Sequence, residues 1–170
     1  MGMIRKLFVD PGISGTGWAF FELPEAPGRK PIPPSATGVL VGPKGERWDN
    51  RVWSICRAFA GTLAAVKPEE VVLEMGELWG GSARSHASVT HKSKKGEPSD
   101  LHKLIYLIGG LASEAREKTN KIPILIPVQG WKGQLPKEVV IKRLESAFGK
   151  TYKNHEADAV GMGLSDQGGL

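Results

Sequence analysis

The chain has a single cysteine, Cys56, in 170 residues. No intrachain disulfide can form, which excludes a small scaffold stapled by bridges and is compatible with a reducing compartment. No apolar run approaches the ~20 residues a membrane span needs. The first ten residues carry Arg5 and Lys6 but neither a long apolar core nor a small-residue cleavage site, so no secretory signal is expected. Internal repeats and a composition-marked linker are also missing. With 40% hydrophobic and 24% charged residues, a single globular domain over residues 1–170 is expected. Acids are absent from residues 82–95, SARSHASVTHKSKK, where Arg84, Lys92, Lys94 and Lys95 stand with His86 and His91. A second basic run lies between Lys132 and Lys153. The net charge of +5 favours a polyanion partner, although a run of charge is equally what a solvated surface carries.

What is present reads as alternating strands and helices. Residues 4–10 form an apolar run ending on Asp10, and Pro11-Gly12 then forces a turn. Residues 15–23 are aromatic-rich and pair with that first strand as a hairpin. The proline-rich stretch 24–35 is a loop, and residues 37–41 form a short third strand. Over residues 46–67, Trp48, Val52, Ile55, Phe59, Leu63 and Val66 recur at helical spacing until Pro68. Residues 70–75 (EVVLEM) read as a buried strand with an acid near its end. A basic, flexible loop is expected over about 76–98. Ser99 is placed to cap a helix reaching about Lys118. Residues 122–128 read as another strand, and 134–148 and 155–164 as closing helices. This order argues for one mixed α/β domain.

Side chains able to bind metal fall at three places that a central sheet can gather. Asp10 ends the first strand and Glu74 sits near the end of the fourth. His155 and Asp158, three apart, share one face of the last helix, while Glu156 points elsewhere. Phosphodiester hydrolysis needs such a cluster, because a water must lose a proton near neutral pH while the leaving oxygen gains charge. Two Mg²⁺ or Mn²⁺ ions roughly 4 Å apart serve both ends of an in-line displacement. Carboxylates suit Mg²⁺, and the imidazole suits Mn²⁺ at least as well. Each residue also has a plainer reading. Asp10 is placed as a turn residue, and His155 and Asp158 as solvent-facing or capping groups, with His155 also readable as a neutral core histidine. Glu74 is the hardest to dismiss, since a carboxylate ending an apolar strand is costly unless paired. Gly12, Gly15 and Gly17 are expected to keep the first turn thin so that DNA or metal can approach, or simply to serve turn geometry.

The segments DPGISGTGWAF, VVLEMGELWGG and HEADAVGMGLS, in that order, resemble the motifs of the RuvC-type Holliday junction resolvases. HKLIYLIGGLASEA and PVQGWKGQLPKE resemble the family's intervening helix and its lysine-bearing segment, so the likeness runs from about Ile4 to Leu164. It implies an RNase H-like fold, a mixed five-stranded sheet flanked by helices. It also implies symmetric nicking of four-way junctions by a homodimer, with two Mg²⁺ or Mn²⁺ ions per active site and no small-molecule cofactor or membrane. Asp10, Glu74 and Asp158 match the metal-binding carboxylates, and His155 matches a position that is aspartate or histidine in the family. Lys132 and Lys137 match the DNA-facing lysines, with Lys137 placed to steady charge on the phosphate. Arg84, Lys92, Lys94 and Lys95 would hold further phosphates, and Trp79 is a candidate wedge at the junction centre, or else a buried or interface tryptophan. The implied setting is the bacterial cytoplasm, with a bacteriophage as a fitting source.

The likeness has gaps. The segment between the two lysines is shorter than in the family, the 24–35 stretch lengthens the hairpin connection, and the basic loop does not align. Flaps, forks or RNA–DNA hybrids therefore remain as alternative substrates. A non-cleaving DNA-binding relative and an actin-like ATPase are the other readings.

Overall fold

The computed structural model describes residues 2–26, 28, 30–75 and 97–170. β1 (Met3–Asp10) and β2 (Thr16–Pro24) form an antiparallel hairpin whose register runs from Met3 opposite Pro24 to Asp10 opposite Gly17. β3 (Ala36–Leu40) pairs antiparallel with β2. β4 (Glu70–Met75) lies parallel to β1, and β5 (Ile124–Pro127) lies parallel to β4. The sheet is thus mixed and five-stranded, in the order β3-β2-β1-β4-β5. It is the architecture that the resemblance implied.

Successive strand residues point to opposite faces, so the sheet divides the core in two. Leu7 and Val9 of β1, with Val71 and Leu73 of β4, pack against α1 (Trp48–Val66) and α2 (Asp100–Thr119). Phe8 and Val72 face the other way, towards Trp131, Val140, Leu144 and Val160. Those four belong to α3 (Val128–Lys132), α4 (Lys137–Phe148) and α5 (Asn154–Asp166). Asp10 has the parity of Phe8, and Glu74 that of Val72. Both acids therefore lie on the face covered by α5.

The helices follow their sequence signals, with some shifts. In α1, Val52, Ile55, Phe59 and Leu63 are buried at helical spacing, and Lys67 closes the helix in the left-handed region at φ 48° ahead of Pro68. The Ser99 hydroxyl accepts from the His102 backbone N–H at 3.4 Å, as an N-cap of α2 does. The strand expected over residues 122–128 is shorter. Pro123 has no N–H for the ladder, Ile122 is 74% exposed, and pairing begins at Ile124. At its other end the chain turns into α3, which was not anticipated. The helix expected from residue 134 starts at Lys137, because Pro136 holds φ at −60° as the preceding residue. In α5, residues 157–164 are all buried, and small residues make this possible. A Cβ on Gly163 would lie 2.2 Å from the Phe21 ring. Among the described residues, no helix is long and apolar enough to cross a membrane.

Candidate active site

Because β1 and β4 are parallel, Asp10 and Glu74 emerge at the same end of the sheet. The N-terminal turns of α5 come down over that end. Lys153 is extended and Asn154 takes φ 48°, so the helix starts abruptly after the buried Tyr152. Gly17 fixes its position: a Cβ there would lie 2.1 Å from the His155 carbonyl oxygen. Gly12 does the same for the imidazole, with a would-be Cβ 2.8 Å from His155 Cε1. The thinness of this hairpin is therefore used by α5 itself, rather than being left open for DNA or metal. The turn is tied internally, since the Thr16 hydroxyl donates to the Gly12 carbonyl at 3.2 Å and the Arg51 guanidinium donates to the Ile13 carbonyl at 3.0 Å.

The four candidate residues share this end of the sheet, and Asp10, Glu74 and Asp158 are near enough to feel one another's charge. His155 Nδ1 is 2.6 Å from Asp10 Oδ2. Lys137 Nζ donates to Asp158 Oδ2 at 2.7 Å. Asp158 Oδ1 is buried with no hydrogen-bond partner. Trp131 Nε1 donates to Glu74 Oε2 at 2.7 Å. Glu156 turns away, as expected, and accepts from the Thr37 hydroxyl of β3 at 2.6 Å.

Burial and mutual repulsion set the electrostatics. Burial pushes Glu74 from its ordinary 4.5 up to about 7, and the charges of Asp10 and Asp158 add to the effect against the Trp131 bond and Lys132. Asp10 is also raised, by burial first, with Asp158 adding to it and His155 opposing it. His155 is raised chiefly by its bond to Asp10, against burial. The Asp10–His155 pair thus holds a proton more firmly than either group does in water.

Among the described residues, no three His, Cys, Asp or Glu side chains close on one point as a preformed cage. Each carboxylate has one oxygen turned to a different neighbour: Asp10 to His155, Asp158 to Lys137, Glu74 to Trp131. The donor set nevertheless fits a hard divalent cation. It offers three carboxylates that repel one another, one of them with a buried, unpartnered oxygen, and such a cation would neutralise the repulsion and fill that orphaned position.

Lys132 stands beside the cluster, its ammonium 5.3 Å from the centre of the Trp131 ring. Trp79, Arg84, Lys92, Lys94 and Lys95, with most of the loop expected over 76–98, lie outside the described residues. Sequence reasoning missed Trp131. The only signal was a large aromatic isolated in the polar segment QGWKGQ.

No family model matches the sequence, and no curated protein matches it. Solved structures do. The chain is similar to the Thermus thermophilus RuvC structure with a TM-score of 0.68 at 20% identity, covering 95% of this chain and 92% of that one. It is similar to T. thermophilus RuvC in complex with Holliday junction substrate with a TM-score of 0.64 at 19% identity, over the same shares. The fold is that of RuvC, an RNase H-like mixed sheet flanked by helices.

Proposed function

We propose that this chain is a metal-dependent endonuclease of the RuvC type that nicks branched DNA, with the four-way junction as its substrate. One observation carries the reading. On a RuvC fold, Asp10, Glu74, His155 and Asp158 gather where two parallel strands end beneath the start of α5. Nothing in the hydrophobic core requires three acids there, and gathering them uncompensated is unfavourable.

Asp10, Glu74, Asp158 and His155 would hold Mg²⁺ or Mn²⁺, two ions per site in the full reading. When bound, such ions make a water nucleophilic near neutral pH and stabilise the leaving oxygen. The chain's own groups prepare the site. The Asp10 carboxylate and the hairpin glycines fix the orientation of the His155 imidazole, with Nδ1 against the carboxylate and the Cε1–Nε2 edge packed on Gly12. Lys137 compensates Asp158, and its side chain, 40% exposed, is also available to a phosphate oxygen and to the charge that builds on it. Lys132 adds a second cation at the rim. Arg84, Lys92, Lys94 and Lys95 would extend the phosphate contacts, and Trp79 would stack at the junction centre. No protein side chain need act as the nucleophile.

Two cuts in strands related by two-fold symmetry call for two matched sites, which an isologous dimer supplies. The α1–α2 face suits a second copy. Trp53, at 64% exposed, and Tyr106, at 63%, line an apolar groove together with Val52, Ile105, Gly109 and Gly110.

The reading is tested by incubating the protein with four-way, three-way, flap, fork and linear duplexes in Mg²⁺ and in Mn²⁺. Paired nicks in the four-way junction, lost in Asp10→Asn, are expected. Preferential cutting of flaps or forks would move the substrate and keep the chemistry. Wild type and Asp10→Asn leaving every substrate intact would refute the nuclease.

A further inference from the structure

Trp131 has no place in the chemistry just described, yet it is held with unusual completeness. It sits in the five-residue helix α3 and is 5% exposed. Its ring lies so close to α5 that a Cβ on Gly161 would be 2.7 Å from Cζ3. Its backbone carbonyl accepts from the Ser165 hydroxyl, again of α5, at 2.9 Å. The indole is thus fixed by the helix that carries His155 and Asp158, and it points its N–H across to Glu74 on β4.

We propose that Trp131 is a positioning residue that occupies one oxygen of Glu74, presents the other as a one-oxygen ligand, and thereby favours Mg²⁺ or Mn²⁺ over Ca²⁺. The inference rests on the metal-site reading above. Among the described residues, the indole is the only hydrogen-bond donor to the Glu74 carboxylate. Glu74 is only partly buried, so without that bond repulsion from Asp10 and Asp158 would swing it towards water. An indole suits the task. It is a donor only, it neither titrates nor ligates in the working range, and its ring has no freedom here. A carboxylate with one oxygen engaged cannot readily offer both to the same ion. Ca²⁺ takes six to eight oxygens and accepts two from one carboxylate, whereas Mg²⁺ demands near-octahedral single-oxygen ligation. Groups that orient a metal ligand in this way typically change affinity by about 10–100-fold when removed.

The test is calorimetric titration of the full chain with Mn²⁺ and with Ca²⁺, for wild type, Trp131→Phe and Glu74→Gln. Phenylalanine keeps an aromatic ring against Gly161 and removes only the donor. Trp131→Phe should bind Mn²⁺ about tenfold more weakly while Ca²⁺ binding holds or improves, so that the Mn²⁺/Ca²⁺ ratio falls. An unchanged ratio in Trp131→Phe, with Mn²⁺ binding lost in Glu74→Gln, overturns the proposal and leaves the metal site standing. Mn²⁺ binding absent in wild type, or unaltered in Glu74→Gln, sinks the metal site and the proposal together. Should Trp131→Phe fail to fold, the indole N–H resonance of Trp131 in wild type decides. A shift on adding Mg²⁺ that disappears in Glu74→Gln is expected, and a resonance unmoved at saturating Mg²⁺ is refuting.

Discussion

Replacing Glu74 by glutamine should make the metal-free protein more stable at alkaline pH, although it removes a residue of the candidate active site. In the folded chain the Glu74 carboxyl is pushed from 4.5 up to about 7. Between these values the folded protein keeps a proton that the unfolded chain has released, so stability declines as pH rises through that window. Above about pH 7 the loss is complete. The gap corresponds to at most about 3 kcal/mol at 1.36 kcal/mol per pH unit, since Glu74 is partly solvated. Glutamine carries no charge at any pH, and its amide oxygen still accepts from Trp131 Nε1. Glu74→Gln should therefore match wild type near pH 4.5 and exceed it at pH 8, by no more than roughly 6–12 °C in Tm for a chain of this size. The measurement is thermal unfolding in excess chelator from pH 4.5 to 8.5. Saturating Mn²⁺ at pH 8 should then raise wild type and leave the variant nearly unmoved. A variant less stable than wild type at pH 8 in chelator, or a gap independent of pH, would refute the account of Glu74 as a charge disfavoured by burial and by its acidic neighbours.

Three further outcomes follow from the same geometry. Gly17→Ala sets a methyl 2.1 Å from the His155 carbonyl oxygen, with backbone on both sides, and should cost about 3 kcal/mol; an unchanged melt by circular dichroism would contradict the docking of α5 on β2. Lys132→Ala should weaken binding to all junction sequences alike and lower the slope of log K against log salt by about 1, read by fluorescence anisotropy; an unaltered slope removes Lys132 from the phosphate contacts. Trp53→Glu combined with Tyr106→Glu should convert a dimer into a folded monomer in sedimentation velocity, and an intact dimer would place the interface elsewhere.

The sequence exposed what depends on local pattern. The apolar run ending at Asp10, the spacing of Val52, Ile55, Phe59 and Leu63, and the Ser99 cap each declare themselves within a few residues, so the succession of elements along the chain and the helix faces could be anticipated. Asp10 and Glu74 were legible as a pair because both stand at or near the ends of apolar strands, and strand ends carry over into space. The α3 turn was not, since five residues contain no helical period. Nor was the Trp131–Glu74 bond, which joins positions 57 apart in sequence through a contact that neither residue signals alone. Gly17 could be seen to want space, but only the fold shows that the space is filled by α5. The basic residues of the 82–95 stretch and Trp79 were named from composition and resemblance, and their roles rest on those grounds.

The strand polarity offers a practical handle. Asp10 and Met3 are the two ends of β1, and Met3 pairs with Pro24, so the connection after β2 leaves the sheet roughly 23 Å from the acids at about 3.3 Å per residue. Cys56, the one thiol in the chain, is pushed up to about 11 by burial, which leaves almost no thiolate at neutral pH. A cysteine introduced at the exposed Lys30 would then react nearly alone with a maleimide. A fluorophore or surface tether attached at that pole leaves the opposite pole free, so single molecules can be watched on branched DNA with nothing grafted near the cutting chemistry.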